Sequence, residues 1–119
     1  MLIQKIEKKI TIGLTEKTII FSKNNEKEIV VAKIDTGATN SSIDERLASR
    51  LGLGPIIKSK MVKSAHGTKI RPVIEAEILL SGRKINSEFT LADRTHMSYK
   101  VLVGVNILKH GFIVDPSKK

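Results

Sequence analysis

The sequence predicts an all-β fold, a closed β-barrel or sandwich with one or two short helices. Most of the chain consists of short apolar runs rich in Ile and Val, and turn-forming residues separate them. Only two segments carry helix signals, and no internal repeat appears. An α/β fold with parallel strands would require more helices than the sequence offers.

Strand signals dominate the first third of the chain. Residues 6–12 and 17–23 are half-alternating runs, and residues 29–34 form a more continuous apolar run. The polar sequence NNEKE at 24–28 separates the second run from the third. This arrangement predicts a β-hairpin.

The clearest helix signal is DERLASRLGLG at residues 44–54. Asp44 can cap the first turn, Leu47 and Leu51 lie four residues apart on one face, and Gly52 or Gly54 with Pro55 can end the helix. A second, shorter helix is predicted after Gly104, where residues 99–111 read as a buried strand, a glycine and a helix.

Residues 58–84 predict two long strands joined by a glycine-containing turn at 65–68. In the second strand Ile74, Ala76, Ile78 and Leu80 alternate with other residues, so we expect them on the buried face. The SGRK turn at 81–84 leads into a further strand at 85–93, and FIVDP at 112–116 closes the core.

Composition fits one domain spanning residues 1–119, with no disulfides because there is no cysteine. No apolar run approaches the length of a membrane span, and we expect a soluble cytoplasmic protein. The 21 basic residues exceed the 12 acidic ones, for a net charge of +9. This excess indicates either attraction to polyanions or acidic peptides, or a solvated lysine-rich surface. The four aromatic residues lie outside basic clusters, which disfavours nucleic acid as a partner.

The strand at 29–34 runs directly into Asp35-Thr36-Gly37-Ala38. A buried carboxylate requires hydrogen-bond donors, and Gly37 allows a tight backbone turn whose N–H can reach it. The tetrapeptide alone is also typical of an ordinary Asx turn. A strand ending in glycine and leading into a helix, Val101-Leu102-Val103-Gly104, follows near the end of the chain.

Together these two features resemble the retropepsins, the single-domain relatives of pepsin, over about residues 29–117. The resemblance implies that Asp35 is catalytic and that Thr36, Gly37 and Ala38 form its supporting loop. It also implies that Gly104 lies where two wide loops cross behind the aspartate. Residues 61–74 would form the flap, with Ala65, His66, Gly67 and Thr68 at its substrate-contacting tip.

A more specific resemblance is to the small retropepsin-like family that carries the label ATP-dependent zinc protease. The shared pattern includes Asp35 to Ala38, Arg71-Pro72-Val73, Asp93-Arg94 and Val114 to Ser117. The label itself finds no support here, because neither a phosphate-binding G-x-x-x-x-G-K-[ST] loop nor a His-Glu-x-x-His motif is present. With three isolated histidines, we expect no metal and no cofactor.

Pepsin-type chemistry needs two carboxylates that share a proton, and this chain has a single Asp-Thr-Gly. The resemblance therefore implies a homodimer in which Asp35 meets its copy, Thr36 bonds across the interface and Gly37 contributes N–H groups. Ala38 departs from the pepsin-like pattern, which usually has Ser or Thr there. Asp44, Asp93 and Asp115 are rival partners for Asp35, although structural roles are expected for all three.

The predicted function is an aspartic endopeptidase that hydrolyses peptide or amide bonds. The polar flap tip and the basic surface favour a peptide substrate that is acidic and rich in glutamate, with no membrane partner. Two alternatives remain open from the sequence. One is a non-catalytic dimeric adaptor with the same fold that binds extended peptides, and the other is a basic β-barrel that binds RNA.

Overall fold

The computed structural model describes residues 8–24, 26–65 and 67–118. Nine strands and two short helices follow one another along this part of the chain. The strands are β1 (Ile10–Ile12), β2 (Thr15–Phe21), β3 (Lys27–Ile34), β4 (Ser41–Asp44), β5 (Lys58–Ser64), β6 (Gly67–Leu80), β7 (Arg83–Ala92), β8 (Val101–Val103) and β9 (Phe112–Val114). The helices are α1 (Glu45–Arg50) and α2 (Val105–Leu108).

Six strands close into a barrel. The sheet runs in the order β2-β3-β8-β4-β7-β6-β5, and an additional pairing of β2 with β6 joins the sixth strand back to the first. Strand β5 remains outside the ring as one arm of the β5–β6 hairpin. Closure leaves no free edge within the ring, and the predicted all-β fold class is confirmed.

Alternating side chains fill the barrel. On β6, Ile74, Ala76, Ile78 and Leu80 are all buried, as their spacing predicts. Phe89 on β7 is the largest fully buried side chain. Inward-facing side chains of the other strands complete the core around it. The short helices α1 and α2 add Leu47, Ala48, Ile107 and Leu108.

A separate two-stranded sheet joins β1 to β9 in parallel, with Ile10 opposite Phe112 and Ile12 opposite Val114. Arg83, at the start of β7, ties this sheet to the barrel. Its guanidinium donates to the carbonyl oxygens of Lys8 at 2.6 Å and His110 at 2.7 Å, and it lies 5.5 Å from the ring centroid of Phe112. One cationic side chain thus connects the barrel to the residues just before β1 and to the start of β9.

The helix predicted at 44–54 is shorter than expected. It covers Glu45–Arg50, because Leu51 is its C-cap and Gly52 then adopts a left-handed φ of 65°. The first strand covers Ile10–Ile12, whereas a strand was predicted from residue 6. Residues 6 and 7 lie outside the described residues, and Lys8 and Lys9 are not in a strand.

Strand β4 was not predicted, because Ser-Ser-Ile-Asp has no strand pattern of its own. It forms through parallel pairing with β7 and antiparallel pairing with β8. Within the described ranges, no helix has the length and apolar character needed to cross a membrane.

Candidate active site

Asp35 follows β3 directly and is held in a tight turn. Its backbone N–H donates to the Val103 carbonyl at 2.9 Å, and its carbonyl accepts from the Ala38 N–H at 3.2 Å. The Gly37 N–H donates to Asp35 Oδ1 at 2.9 Å. Asp35 as a residue is half-buried. The Gly37 N–H fixes one carboxylate oxygen, while the group remains accessible to solvent.

The loop at residues 35–40, here called the Asp35 loop, crosses the segment that joins β8 to α2. The Val105 N–H donates to the Ala38 carbonyl at 2.8 Å, and the Asn106 N–H donates to the Thr39 carbonyl at 3.2 Å. Gly104 lies at the point of contact. A Cβ on Gly104 would stand 2.7 Å from the Ala38 carbonyl oxygen and 2.5 Å from that of Asn40. Glycine is required here for space, since its φ of −104° is open to any residue.

The side chains of Ser41 and Asn106 hold the two crossing segments together through hydrogen bonds. Ser41 is fully buried, and its Oγ accepts from the Gly104 N–H at 2.9 Å and donates to Asn106 Oδ1 at 2.7 Å. Asn106 Nδ2 then donates to Ser87 Oγ and to the Glu88 carbonyl, both at 3.0 Å. These bonds link the Asp35 loop, β8, α2 and β7 into one hydrogen-bonded unit.

The three other aspartates considered from the sequence are engaged in local hydrogen bonds. Asp44 caps α1 through the Leu47 N–H and also accepts from the Arg94 N–H at 2.8 Å. Asp93 accepts from the Thr95 N–H and hydroxyl, and Asp115 accepts from those of Ser117.

These local bonds also set the electrostatics of the acidic groups. The hydroxyl donors of Thr95 and Ser117 are the main reason that the pKa values of Asp93 and Asp115 lie below the ordinary aspartate value. Burial lowers the pKa of Arg94, and the Asp44 carboxylate partly counteracts that effect. No ion pair joins Asp93 to Arg94 in the described ranges. The Arg94 Nε instead donates to the Tyr99 carbonyl at 2.9 Å.

The predicted flap corresponds to the β5–β6 hairpin. Ala65 and Thr68 are exposed at its tip, and Gly67 adopts a φ of 108°, which glycine tolerates without strain. His66, the fourth predicted tip residue, lies outside the described residues.

Cross-strand register divides the hairpin side chains between two faces. Lys60 pairs with Arg71, Val62 with Lys69 and Lys58 with Val73, so the first face is basic. The second face carries the pair Met61 and Ile70, which are 69% and 72% exposed. We call the first set, Lys58, Lys60, Lys69 and Arg71, the basic face of the hairpin.

The basic face is turned toward the Asp35 loop. Lys60 and Val73 line a small cavity of about 50 Å³ together with Asn40, Ser41, Glu88, Thr90 and Asn106. Lys58 makes an ion pair with Glu88 at 3.0 Å, whereas no ion pair involves Lys60 within the described ranges. A chain lying between the hairpin and the Asp35 loop would therefore meet a lysine that makes no ion pair, beside a carboxylate already paired with Lys58.

In the described part of the chain, no group of three His, Asp or Glu side chains is arranged to hold a metal ion. The arrangement around Asp35 is suited to acid–base chemistry by a positioned carboxylate. It supplies one such carboxylate for each chain.

The structure brings Asp35, Gly37, Ala38 and Gly104 together as their pattern predicts. Sequence reasoning missed the roles of Ser41 and Asn106. Asn106 follows the late glycine by two residues, but a serine in a short polar run gives no signal of burial. Lys60 was likewise missed, because only strand register reveals which face of the hairpin a lysine occupies.

Solved structures with a similar fold define the class of protein. The chain superimposes on a Legionella pneumophila protein of unknown function with a TM-score of 0.63 and 22% identity, covering 92% of this chain and 95% of that one. It superimposes on the EIAV protease in complex with an inhibitor with a TM-score of 0.64 and 21% identity, covering 91% and 92%. The simian foamy virus protease gives a TM-score of 0.57 and 21% identity, covering 80% and 91%. The fold is that of the retropepsin-like proteases.

The sequence identifies the family within that class. Residues 45–119 match the RimB-like family, described as the retropepsin-like aspartic endopeptidase RimB, and the chain belongs to this family. The matched stretch begins one residue after Asp44 and so does not include the Asp35 loop. No curated protein sequence matches the chain.

Proposed function

We propose that the chain is an aspartic endopeptidase that acts as a homodimer, with one Asp35 from each copy in a shared site. The observation that carries this proposal is the accessible carboxylate of the half-buried Asp35, which the Gly37 N–H holds at 2.9 Å where two loops cross. Family membership and the retropepsin-like fold support the protease assignment.

A second carboxylate is required, and a second copy is the economical source. Asp44, Asp93 and Asp115 each accept hydrogen bonds from their own surroundings, which favours structural roles for them. Two carboxylates brought within about 3 Å share one proton, because both cannot be ionised at that distance. Exposed Thr36 is available to bond across such an interface.

The mechanism then follows from the shared proton. The ionised carboxylate accepts a proton from a water molecule as that water attacks the peptide carbonyl carbon. The protonated carboxylate donates its proton to the carbonyl oxygen. As the tetrahedral intermediate collapses, the C–N bond breaks. The carboxyl group that took a proton from the water gives that proton to the leaving amine, and the other carboxylate regains a proton from the hydroxyl group of the intermediate. Gly37 fixes the Asp35 carboxylate throughout, and the crossing at Gly104 keeps the loop rigid.

We extend the proposal to acidic substrates, rich in glutamate. The basic face of the hairpin is the supporting observation, because Lys60 lines the small cavity beside the Asp35 loop and has no acidic partner among the described residues. A glutamate side chain of an extended substrate would be attracted to this face. The hairpin tip, with Ala65, Gly67 and Thr68, would cover such a substrate as a mobile flap.

The test is Asp35→Asn, assayed with a fluorogenic glutamate-rich peptide and by sedimentation. The variant should lose hydrolysis by at least about a thousandfold while retaining its fold and its dimer. Asp93→Asn, a matched change at an exposed aspartate, should keep its activity. Hydrolysis that survives in Asp35→Asn, or a wild-type protein that stays monomeric while active, would refute the proposal. A wild-type protein that binds the peptide without cleaving it would indicate the adaptor alternative.

A further inference from the structure

An apolar patch lies on the outside of the barrel. Register places Ile19 of β2 directly opposite Ile29 of β3 on one side and Leu79 of β6 on the other, and Val31 lies two residues from Ile29 on the same face. Ile29 and Val31 are 65% and 44% exposed. We call Ile19, Ile29, Val31 and Leu79 the outer patch. A contiguous apolar surface spanning three strands is typical of an interaction site.

Lysines surround the outer patch. Lys17 pairs with Val31, and the same outward face carries Lys27 and Lys33 on β3 and Lys84 on β7. On these paired strands the outward face also holds three carboxylates. Glu77 makes an ion pair with Lys84 at 3.3 Å, Glu75 lies two residues before it on β6, and Glu88, opposite Glu75 on β7, makes an ion pair with Lys58 at 3.0 Å. The patch is therefore apolar at its centre and positively charged at its rim along β2 and β3, and the carboxylates lie on the β6 and β7 side.

We propose that the outer patch binds an acidic segment of a partner protein, one that places aliphatic side chains on Ile29 and Val31 and carboxylates beside the lysines. Buried aliphatic contacts would supply affinity, and the rim charges would supply orientation and association rate.

Other occupants fit the patch less well. A second copy would bring the same lysines against this rim, and like charges across an interface are costly. An anionic membrane would also attract the lysines, but amphipathic membrane-binding surfaces insert apolar side chains, often Trp or Phe, among the lipid headgroups. Here the surface is a sheet face, and its aromatic side chain, Phe21, lies 5.2 Å below the Lys84 amine. Nucleic acid would require exposed aromatic rings for stacking.

The outer patch is independent of the proposed hydrolysis. Its side chains point away from the core, since Thr18, Ile20 and Ala32 alternate with them and are fully buried. Asp35 lies beyond the end of β3. Binding should therefore persist in Asp35→Asn, and failure of one proposal leaves the other intact.

The experiment uses the whole chain and a fluorescein-labelled peptide of eight alternating glutamate and isoleucine residues, followed by fluorescence anisotropy. The peptide should bind saturably to the parent protein Asp35→Asn, which cannot cleave it, and equally well to Asp35→Asn/Lys60→Glu, in which the basic face of the hairpin is weakened. The double variant Ile29→Ser/Val31→Ser should weaken binding about tenfold or more, and Lys17→Glu/Lys33→Glu should do the same. Ile56→Ser/Ile57→Ser, a matched pair of exposed apolar residues outside the outer patch and the flap, should bind as the parent protein does.

Thermal unfolding of each variant checks that the outward substitutions leave the fold intact. Equal binding of an octaglutamate peptide would overturn the proposal, because the apolar centre would then contribute nothing. Absence of saturable binding by the parent protein would overturn it too, as would unchanged binding by Ile29→Ser/Val31→Ser. Binding of phosphatidylserine vesicles that depends on Ile29 and Val31, with no peptide binding, would assign the patch to membranes instead.

Discussion

Ser41 and Asn106 are joined by a 2.7 Å hydrogen bond although 65 residues separate them in the sequence. Ser41 begins β4, directly after the Asp35 loop, and Asn106 lies in α2. Since Ser41 Oγ also accepts from the Gly104 N–H, one hydroxyl bonds two groups of the β8–α2 segment and so holds that segment to the residue that directly follows the Asp35 loop. The rigidity of the Asp35 loop therefore depends on a contact outside the Asp-Thr-Gly sequence.

Removal of the Ser41 hydroxyl should destabilise the protein. Ser41→Ala leaves the Gly104 N–H and Asn106 Oδ1 without this partner in a buried site, which should cost about 1–3 kcal/mol in the free energy of unfolding. Urea denaturation measures the loss. Ser42→Ala, at the neighbouring half-buried position, is the matched control and should change stability by less than about 0.5 kcal/mol. Equal losses in the two variants would contradict the role assigned to Ser41.

A methyl group at Gly104 should force the two crossing loops apart. Gly104→Ala would place Cβ 2.5 Å from the Asn40 carbonyl oxygen, closer than backbone atoms allow. We expect a loss of about 1–3 kcal/mol in the free energy of unfolding, with lower activity. In Gly37→Ala the Cβ would stand 3.3 Å from the Asp35 carboxylate alone, so its loss of stability should be smaller. The opposite ranking would argue against the crossing as described.

If each site contains two copies of Asp35, inactive subunits should inhibit active ones. Mixing wild-type protein with a tenfold excess of Asp35→Asn, under conditions of subunit exchange, should lower activity about tenfold, because most wild-type subunits then have an inactive partner. Activity is measured with the glutamate-rich peptide at constant wild-type concentration. The control is the activity measured directly after the same excess of Asp35→Asn is added, before the subunits have exchanged. Activity that is unaffected by exchange would indicate that each chain acts alone.

Charge reversal on the two faces of the hairpin should have unequal effects. Lys60→Glu should raise KM for the glutamate-rich peptide about three- to tenfold, because Lys60 lies on the face turned toward the Asp35 loop. Lys63→Glu makes the same change of charge on the opposite face and should leave KM nearly unchanged. Raising the ionic strength should reduce the difference between them. Equal KM values would contradict substrate recognition by the basic face.

Asp115 should contribute stability that depends on pH. Its folded-state pKa is lowered mainly by the hydrogen bond from the Ser117 hydroxyl, followed by that from the Ser117 N–H. The ionised group therefore stabilises the fold above the ordinary aspartate pKa of about 3.9, and this contribution is lost as pH falls through the lowered value. The difference in unfolding free energy between wild type and Asp115→Asn should be constant above about pH 5 and shrink below about pH 4.

Ser117→Ala provides the matched control for Asp115. It removes the largest cause of the lowered pKa while leaving the carboxylate in place, so the pH dependence should weaken. A difference between wild type and Asp115→Asn that grows toward acid would contradict the assignment. Urea denaturation at a series of pH values measures it.

Local patterns were sufficient for much of the fold. The hairpin of β2 and β3, the alternation of Ile74 to Leu80 and the Asp44 cap all follow from side-chain spacing and turn chemistry within a few residues. The Asp35 loop was also predictable, because a carboxylate after a buried strand and a distant glycine form a recognisable pair.

Features that depend on distant pairing were not predictable. Ser41 and Asn106 carry no local signal, since their burial arises from contacts with β7, β8 and each other. The shortness of α1 also escaped prediction, because the apolar spacing of Leu47 and Leu51 continues past the residue at which the backbone leaves the helix. The face that Lys60 occupies depends on its register with Arg71.

The pairing of Ile10 with Phe112 has a consequence for the order of folding events. Closing a loop of about 100 residues costs more chain entropy than forming any hairpin in the barrel. Only the contacts of three residue pairs between β1 and β9 offset that cost. This small sheet should therefore form late, after the barrel supplies Arg83 as an anchor. In native-state amide hydrogen exchange, the N–H groups of both strands should open together and before those of the barrel.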